Sequence, residues 1–304
     1  MAINEISHAS KWAGELDKMY VQKSATGFFA DNVLRAKFVG ARTVVIPDIE
    51  FEGLVDYDRD GGFSGSSLSV SNEAHELKMD RARSISIDRE DLDETGIANL
   101  AGQVLGEFVR TKVVPETDAY VISTLTKKAV ENNQTVAWSD ETPYKLFGDL
   151  VAKVQDVAGY DEELVCFVDK TAYHALKNSD EFTRHIEVSD FKQGDISLKV
   201  KTIDGVSIIP VSSERMKSGF DFKKIADGAD ENNITGGFKA AVDADDVHML
   251  VLPKKAASLV KKTEKLRVFS PEQNPEADAY KFDYRIYYDL LIKKSGAKSI
   301  WAAI

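Results

Sequence analysis

The first feature of this chain with a chemistry attached is an alternation of carboxylates. In "VDYDRDGGFSG" (residues 55–65), Asp56, Asp58 and Asp60 precede Gly61. A helix–loop–helix calcium site opens in this order, with carboxylates at loop positions 1, 3 and 5 and glycine at 6. The match fails at the defining ligand, because position 12 should be a bidentate glutamate and is Ser67, while position 9 is Ser64. The flanking segments are β-patterned where helices are required. The stretch reads instead as an acidic, glycine-bearing hairpin tip, soluble and bendable.

The remaining reactive residue types are scattered. His8, His75, His174, His185 and His248 show no metal-ligand spacing. His174 and His185 would share a face on a continuous helix, but "NSD" between them is a helix stop. Cys166, the single cysteine, sits among apolar neighbours in "ELVCFVD", where a buried small residue is expected and no internal disulfide can form. No phosphate loop, dinucleotide fingerprint or nucleophile elbow is present. Asp169-Lys170 lies where a strand-end site would, but an aspartate before "KTAYHAL" is more simply a helix cap. The runs "DREDLDE" and "DADD" read as a helix N-terminus and a solvated turn. The expectation is a chain without catalytic residues, metal or cofactor.

Composition sets wider bounds. A net charge of −11 over 304 residues argues against tight, general nucleic-acid binding and leaves weak contact across one face open. The longest apolar runs, such as "HMLVLP", fall far short of the ~20 residues of a membrane helix. The opening "MAINEISHASKWAGELDKMY" has no basic region followed by an apolar one, so no secretory signal is read.

Residues 4–22 have helical spacing through Ile6, Trp12, Leu16 and Tyr20. "SATGFFADNVLRAKFVGART" follows as an irregular, apolar arm expected to need a partner surface for its hydrophobes. From Thr43 the period becomes two, with Val45, Ile49 and Phe51 opposite Asp48 and Glu50. "LKMDRARSISID" alternates again, and the polar stretch 56–76 lies between. These two segments predict one long β-hairpin, too poor in apolar surface to stand alone.

"DREDLDETGIANLAGQVLGEFVRTK" carries a helical stripe through Ile97, Leu100, Ala101, Val104, Leu105 and Phe108, with Asp91 or Asp93 as cap. Past Pro115 the spacing resumes at Ala119, Ile122, Leu125 and Ala129, predicting one long helix with a kink or restart at the proline. A mixed α/β region follows: a helix in "TPYKLFGDLVAKVQDV", a buried strand in "ELVCFVD", a helix from Lys170, and a hairpin turning at Asp204-Gly205. Residues 219–246 read as loop, before late strands in "VHMLVLP", "KLRVFSP" and "FDYRIYYDLLIKK".

Two stretches carry a resemblance. "GEFVRTKVVPETDAY" (106–120) and "SPEQNPEADAYKFDYRIYYDLLI" (270–292) resemble signature segments of tailed-bacteriophage major capsid proteins, of a type common in phages of Gram-positive bacteria. The order of elements is similar over essentially the whole chain. The resemblance implies an α+β, HK97-type capsid fold: N-terminal arm 1–40, extended β-hairpin loop 41–92, spine helix and start of the peripheral domain 93–143, axial domain 144–247, and return strands of the peripheral domain 248–304. It further implies a structural subunit assembling with itself into pentamers and hexamers of an icosahedral head around double-stranded DNA. The expected location is the virion capsid, assembled in the bacterial cytoplasm with no membrane involved. The expected partners are a portal protein, packaged DNA held by weak non-specific contact, and a separate scaffolding protein, because the hairpin is reached by Thr43. Expected inter-subunit contacts are Asp56, Asp58, Asp60 and Phe63 at the tip, Lys78, Arg81 and Arg83 as basic partners, and Trp12, Phe28 and Phe29 in the arm. Some members crosslink through a lysine–asparagine–glutamate set, which this chain does not match, so no covalent chainmail is expected. An encapsulin-like compartment around a cargo enzyme is the alternative with the same fold.

Overall fold

Pro115 has no N–H, and its ring crowds the carbonyl four residues back, so a helix running through it must adjust. In the computed structural model it does so just upstream. Helix α1 (Leu100–Phe108) widens into a π-turn at Val109–Val113 and continues as α2 (Val114–Glu131), with the Val114 N–H donating to the Val109 carbonyl. One inserted residue thus preserves a single rod, and the kink expected from sequence takes this form. The structure describes residues 24–30, 37–39, 42–50, 55–57, 59, 69–90, 100–179, 186–193, 196–222 and 236–304. The expected first helix and its Trp12, and the cap at Asp91 or Asp93, lie outside them.

The hairpin is built differently from the sequence expectation. Strands β1 (Lys37–Val39), β2 (Thr43–Glu50) and β3 (Ser69–Glu76) form an antiparallel sheet, with Thr43 opposite Glu76 and Glu50 opposite Ser69. The return strand therefore lies inside the stretch read as a polar tip. "SVSNEAHE" has only Val70 and Ala74 as apolar residues and gives no period-two signal, so main-chain pairing defines it. β4 (Met79–Asp88) is a strand as expected, but it leaves the hairpin and pairs with Ala279–Ile292 near the other end of the chain. Among the described side chains of β2, Val44 and Ile46 are buried, one step out of phase with the expected Val45 face.

The α/β region comprises β5 (Thr135–Val136), α3 (Pro143–Ala158), β6 (Leu164–Val168), α4 (Lys170–Asn178), β7 (Ile186–Gln193), β8 (Ile196–Ile203) and β9 (Val206–Pro210). Asp204 at φ 49° and Gly205 at φ 79° close the β8–β9 hairpin as a two-residue turn, as their sequence predicted. A small ribbon, β10 (Phe220–Asp221) with β11 (Lys239–Ala240), interrupts the loop region. β12 (Met249–Pro253), β13 (Ala257–Phe269), β14 (Ala279–Ile292), α5 (Lys294–Ala297) and β15 (Trp301–Ala303) complete the chain.

Two sheets organise the core. One has order β5-β15-β12-β6-β9-β8-β7, the other β13-β14-β4. β12 and β15 belong to the first, beside β6. β6 and β12 read as continuous apolar runs because both of their faces are covered. Val165, Phe167, Leu250 and Leu252 face Ile122 and Leu125 of α2, while Cys166, Val168, Met249 and Val251 face Leu150 and Val154 of α3. The second sheet lies under the α1–α2 rod, with Phe282 buried against Leu105, Val109 and Val114.

Candidate assembly surfaces

Residues 24–30 of the arm do not wait for a partner, whereas Phe38 is exposed. Gly27–Ala30 forms a turn of 3₁₀ helix, and Phe28 and Phe29 have no exposed surface. The Phe28 ring lies 4.2 Å from Phe29 and stacks at 6.1 Å on Phe167 of β6. The expectation that these phenylalanines face another subunit is therefore corrected: their own subunit supplies the apolar cover.

The polar residues just before them explain the placement. Asp118 on α2 is fully buried and accepts from Ser24 Oγ and Thr26 Oγ1, both at 2.7 Å. The backbone N–H groups of Ala25 and Thr26 each donate to it at 3.2 Å, as does Arg215 Nη1. A buried carboxylate is costly unless paired and hydrogen-bonded, and here five donors meet it. A second buried carboxylate, Asp289 on β14, accepts from Tyr120 Oη at 2.6 Å and from the Lys78 N–H at 3.0 Å. It pins the corner where the chain passes from β3 to β4. Neither aspartate stood out in the sequence, although each interrupts an apolar segment, "TDAY" and "YYDLL", which is the available signal.

The hairpin base packs on its own subunit, with Val44 and Ile46 against Leu77, Tyr287 and Leu291. Towards the tip, Val55, Asp56, Tyr57 and Arg59 are exposed, Val55 at 68% and Tyr57 at 61%. Asp58, Asp60 and Phe63 lie outside the described residues. Of the expected basic partners, Lys78 and Arg83 are exposed. Arg81 is committed within the subunit: Nε and Nη2 bind the Glu116 carboxylate at 2.6 and 3.2 Å, and Nη1 and Nη2 bind the carbonyls of Phe222 and Gly237 at 2.5 and 3.1 Å.

Asp169 and Cys166 have structural roles, while His8 and His185 lie outside the described residues. Asp169 Oδ1 accepts from the Ala172 N–H at 2.7 Å and caps α4. Cys166 is buried, and desolvation pushes its thiol well above the ordinary range. Among the described residues, no group of three His, Cys, Asp or Glu side chains is arranged to hold a metal, and no helix is long and apolar enough to cross a membrane.

No protein-family description matches the sequence, and no curated protein matches it. Solved structures do match in fold. The capsid of the cyanophage P-SCSP1u is 12% identical over 88% of this chain and 84% of that one, with a TM-score of 0.54. The capsid of Staphylococcus phage Andhra is 9% identical, covering 84% and 79%, with a TM-score of 0.53. A virus-like particle from Pyrococcus furiosus is 12% identical, covering 97% and 98%, with a TM-score of 0.52. The α+β architecture, with one long helix lying across a three-stranded sheet, is the fold of the tailed-phage capsid structures, the HK97-type fold.

Proposed function

We propose that this chain is a major capsid subunit, which builds the shell of an icosahedral phage head by assembling with itself into pentamers and hexamers around double-stranded DNA. The observation that carries the reading is the extent of the fold match, which takes in most of both chains in each phage capsid. The hairpin supports it. β2 and β3 pair with each other, and beyond β2 the chain exposes Val55 and Tyr57, apolar surface that a neighbouring subunit would cover. In this reading the subunit performs no catalysis, a scaffolding protein guides its assembly, a portal protein occupies one vertex, and the domain roles follow the arm, extended loop, spine helix, peripheral and axial scheme.

Electron microscopy of the purified chain, alone and with a scaffolding protein from the same genome, tests the proposal. Closed particles of uniform size are expected. A monomer under both conditions sinks it.

An encapsulin-like compartment is the second reading. The match to the Pyrococcus furiosus virus-like particle, over 97% of this chain and 98% of that one, supports it. Particle contents separate the two: nucleic acid in infection-derived shells supports the phage head, and a co-purifying folded enzyme supports the compartment.

A further inference from the structure

The long helix and the edge strand β4 do not close on one another. Between them lies a groove of about 600 Å3, within the range of small-molecule sites. The rod supplies Phe108, Lys112 and Val113, β4 supplies Arg83 and Ile85, and β14 contributes Tyr284 and Ile286. Lys112 and Val113 belong to the π-turn, a departure from helical geometry that recurs at functional sites. The Phe108 ring lies 6.0 Å from Tyr284, edge to face, and Ile85 and Val113 are half-buried beside them. The groove thus has an apolar interior without being filled by its own walls.

Its polar side chains fall into two sets. Three are answered within the subunit. Arg81 is held by Glu116 and two carbonyls, Tyr284 Oη donates to Glu264 at 2.8 Å, and Thr117 Oγ1 donates to the Val113 carbonyl at 3.0 Å. Arg83 and Lys112 form the other set. Both are exposed, one on each wall, and neither makes an ion pair among the described residues. A ligand with polar groups along its length would bury them beside partners already engaged, which is costly. An apolar chain loses nothing there, and an anionic head between the two cations gains charge-assisted hydrogen bonds. We propose that this groove binds a small amphipathic carboxylate, with its apolar chain between the long helix and β4 and its head held by Arg83 and Lys112. A medium-chain fatty acid is the simplest member of the class. One subunit supplies these residues, so the inference goes beyond the shell reading and is tested separately from it.

Calorimetric titration of the full chain with hexanoate, octanoate and decanoate, each below its critical micelle concentration, tests this. One saturable site is expected, with affinity rising about threefold to fourfold for each added methylene. Decyltrimethylammonium, the same chain with a cationic head, binds about tenfold or more weakly than decanoate. Arg83→Gln with Lys112→Gln lowers decanoate affinity about tenfold or more, while thermal unfolding of the ligand-free variant is unchanged because both positions are exposed. Decanoate raises the unfolding temperature of the wild type and slows amide exchange at residues 81–86 and 108–117, the two walls. No saturable decanoate binding, equal binding of the cationic chain, unchanged affinity in the double variant, or protection confined to other segments overturns the proposal. If the double variant does not fold, the head-group comparison and the exchange pattern of the wild type decide it. Particle formation bears on the shell reading alone, so either reading can fail while the other stands.

Discussion

Ser24 donates a 2.7 Å hydrogen bond to Asp118, a carboxylate on the long helix with no exposed surface. The contact spans 94 positions of sequence and joins three parts of the fold, because Arg215 reaches the other oxygen of the same carboxylate. Asp118 thus latches the arm to the helix, and Phe28 and Phe29 are held in the core behind it.

Asp118→Ala leaves two hydroxyls, two backbone N–H groups and a guanidinium around an empty acceptor position. Removing one partner of a buried, charged network costs about 3–5 kcal/mol. Asp118→Asn keeps the shape but loses the charge and turns one acceptor into a donor, a smaller loss of about 1–3 kcal/mol. Urea unfolding of the unassembled subunit measures both. Equal midpoints for wild type and Asp118→Ala would remove the latch from the account.

What the sequence made legible follows from the physics of each element. The α2 stripe, the Asp204-Gly205 turn, the Asp169 cap and the buried runs of β6 and β12 all rest on local signals, and each appears where expected. Strand partners do not rest on local signals. β4 has the alternation of a strand, but nothing in residues 79–88 says that its mate lies at 279–288 and not 43–50. The polar β3, defined by main-chain pairing, has only Val70 and Ala74 as an apolar trace. The arm was misjudged for a related reason: "SATGFF" reads as exposed apolar surface until Asp118 and Phe167, far along the chain, are known to meet it.

The burial of Phe28 separates a core role from an interface role. Truncating a fully buried phenylalanine costs about 3–5 kcal/mol through lost transfer energy and the cavity left behind. Phe28→Ala should therefore destabilise the isolated subunit, as read by thermal unfolding before any assembly. A variant with unaltered subunit stability but defective shells would return Phe28 to the subunit interface.

Arg81 makes four hydrogen bonds with one planar group, two to Glu116 and two to carbonyls on either side of the 223–235 stretch. Lysine has the charge but not the fork. Arg81→Lys should thus retain little of the effect and approach Arg81→Ala, losing about 1–3 kcal/mol. Faster amide exchange at Phe220–Asp221 and Lys239–Ala240 should accompany the loss. If Lys restores wild-type exchange there, the site needs only a positive charge.

Tyr120 and Tyr288 predict the alkaline limit of stability. Burial, with the Asp289 carboxylate beside the Tyr120 hydroxyl, raises both phenols above their ordinary value of 10.0. Each stays protonated in the fold when the unfolded chain has begun to ionise. Their contribution is therefore complete below pH 10 and declines as pH rises through the alkaline range, by about 1.4 kcal/mol per pH unit for each group. Tyr288→Phe removes one titrating hydroxyl, so stability measured above pH 10 should fall with about half the tyrosine-dependent slope of the wild type. Tyrosinate absorbance supplies a second check: Tyr120 and Tyr288 should resist ionisation until the chain unfolds. If both titrate while the fold persists, water reaches these hydroxyls and the packing of α2 on β14 is loose.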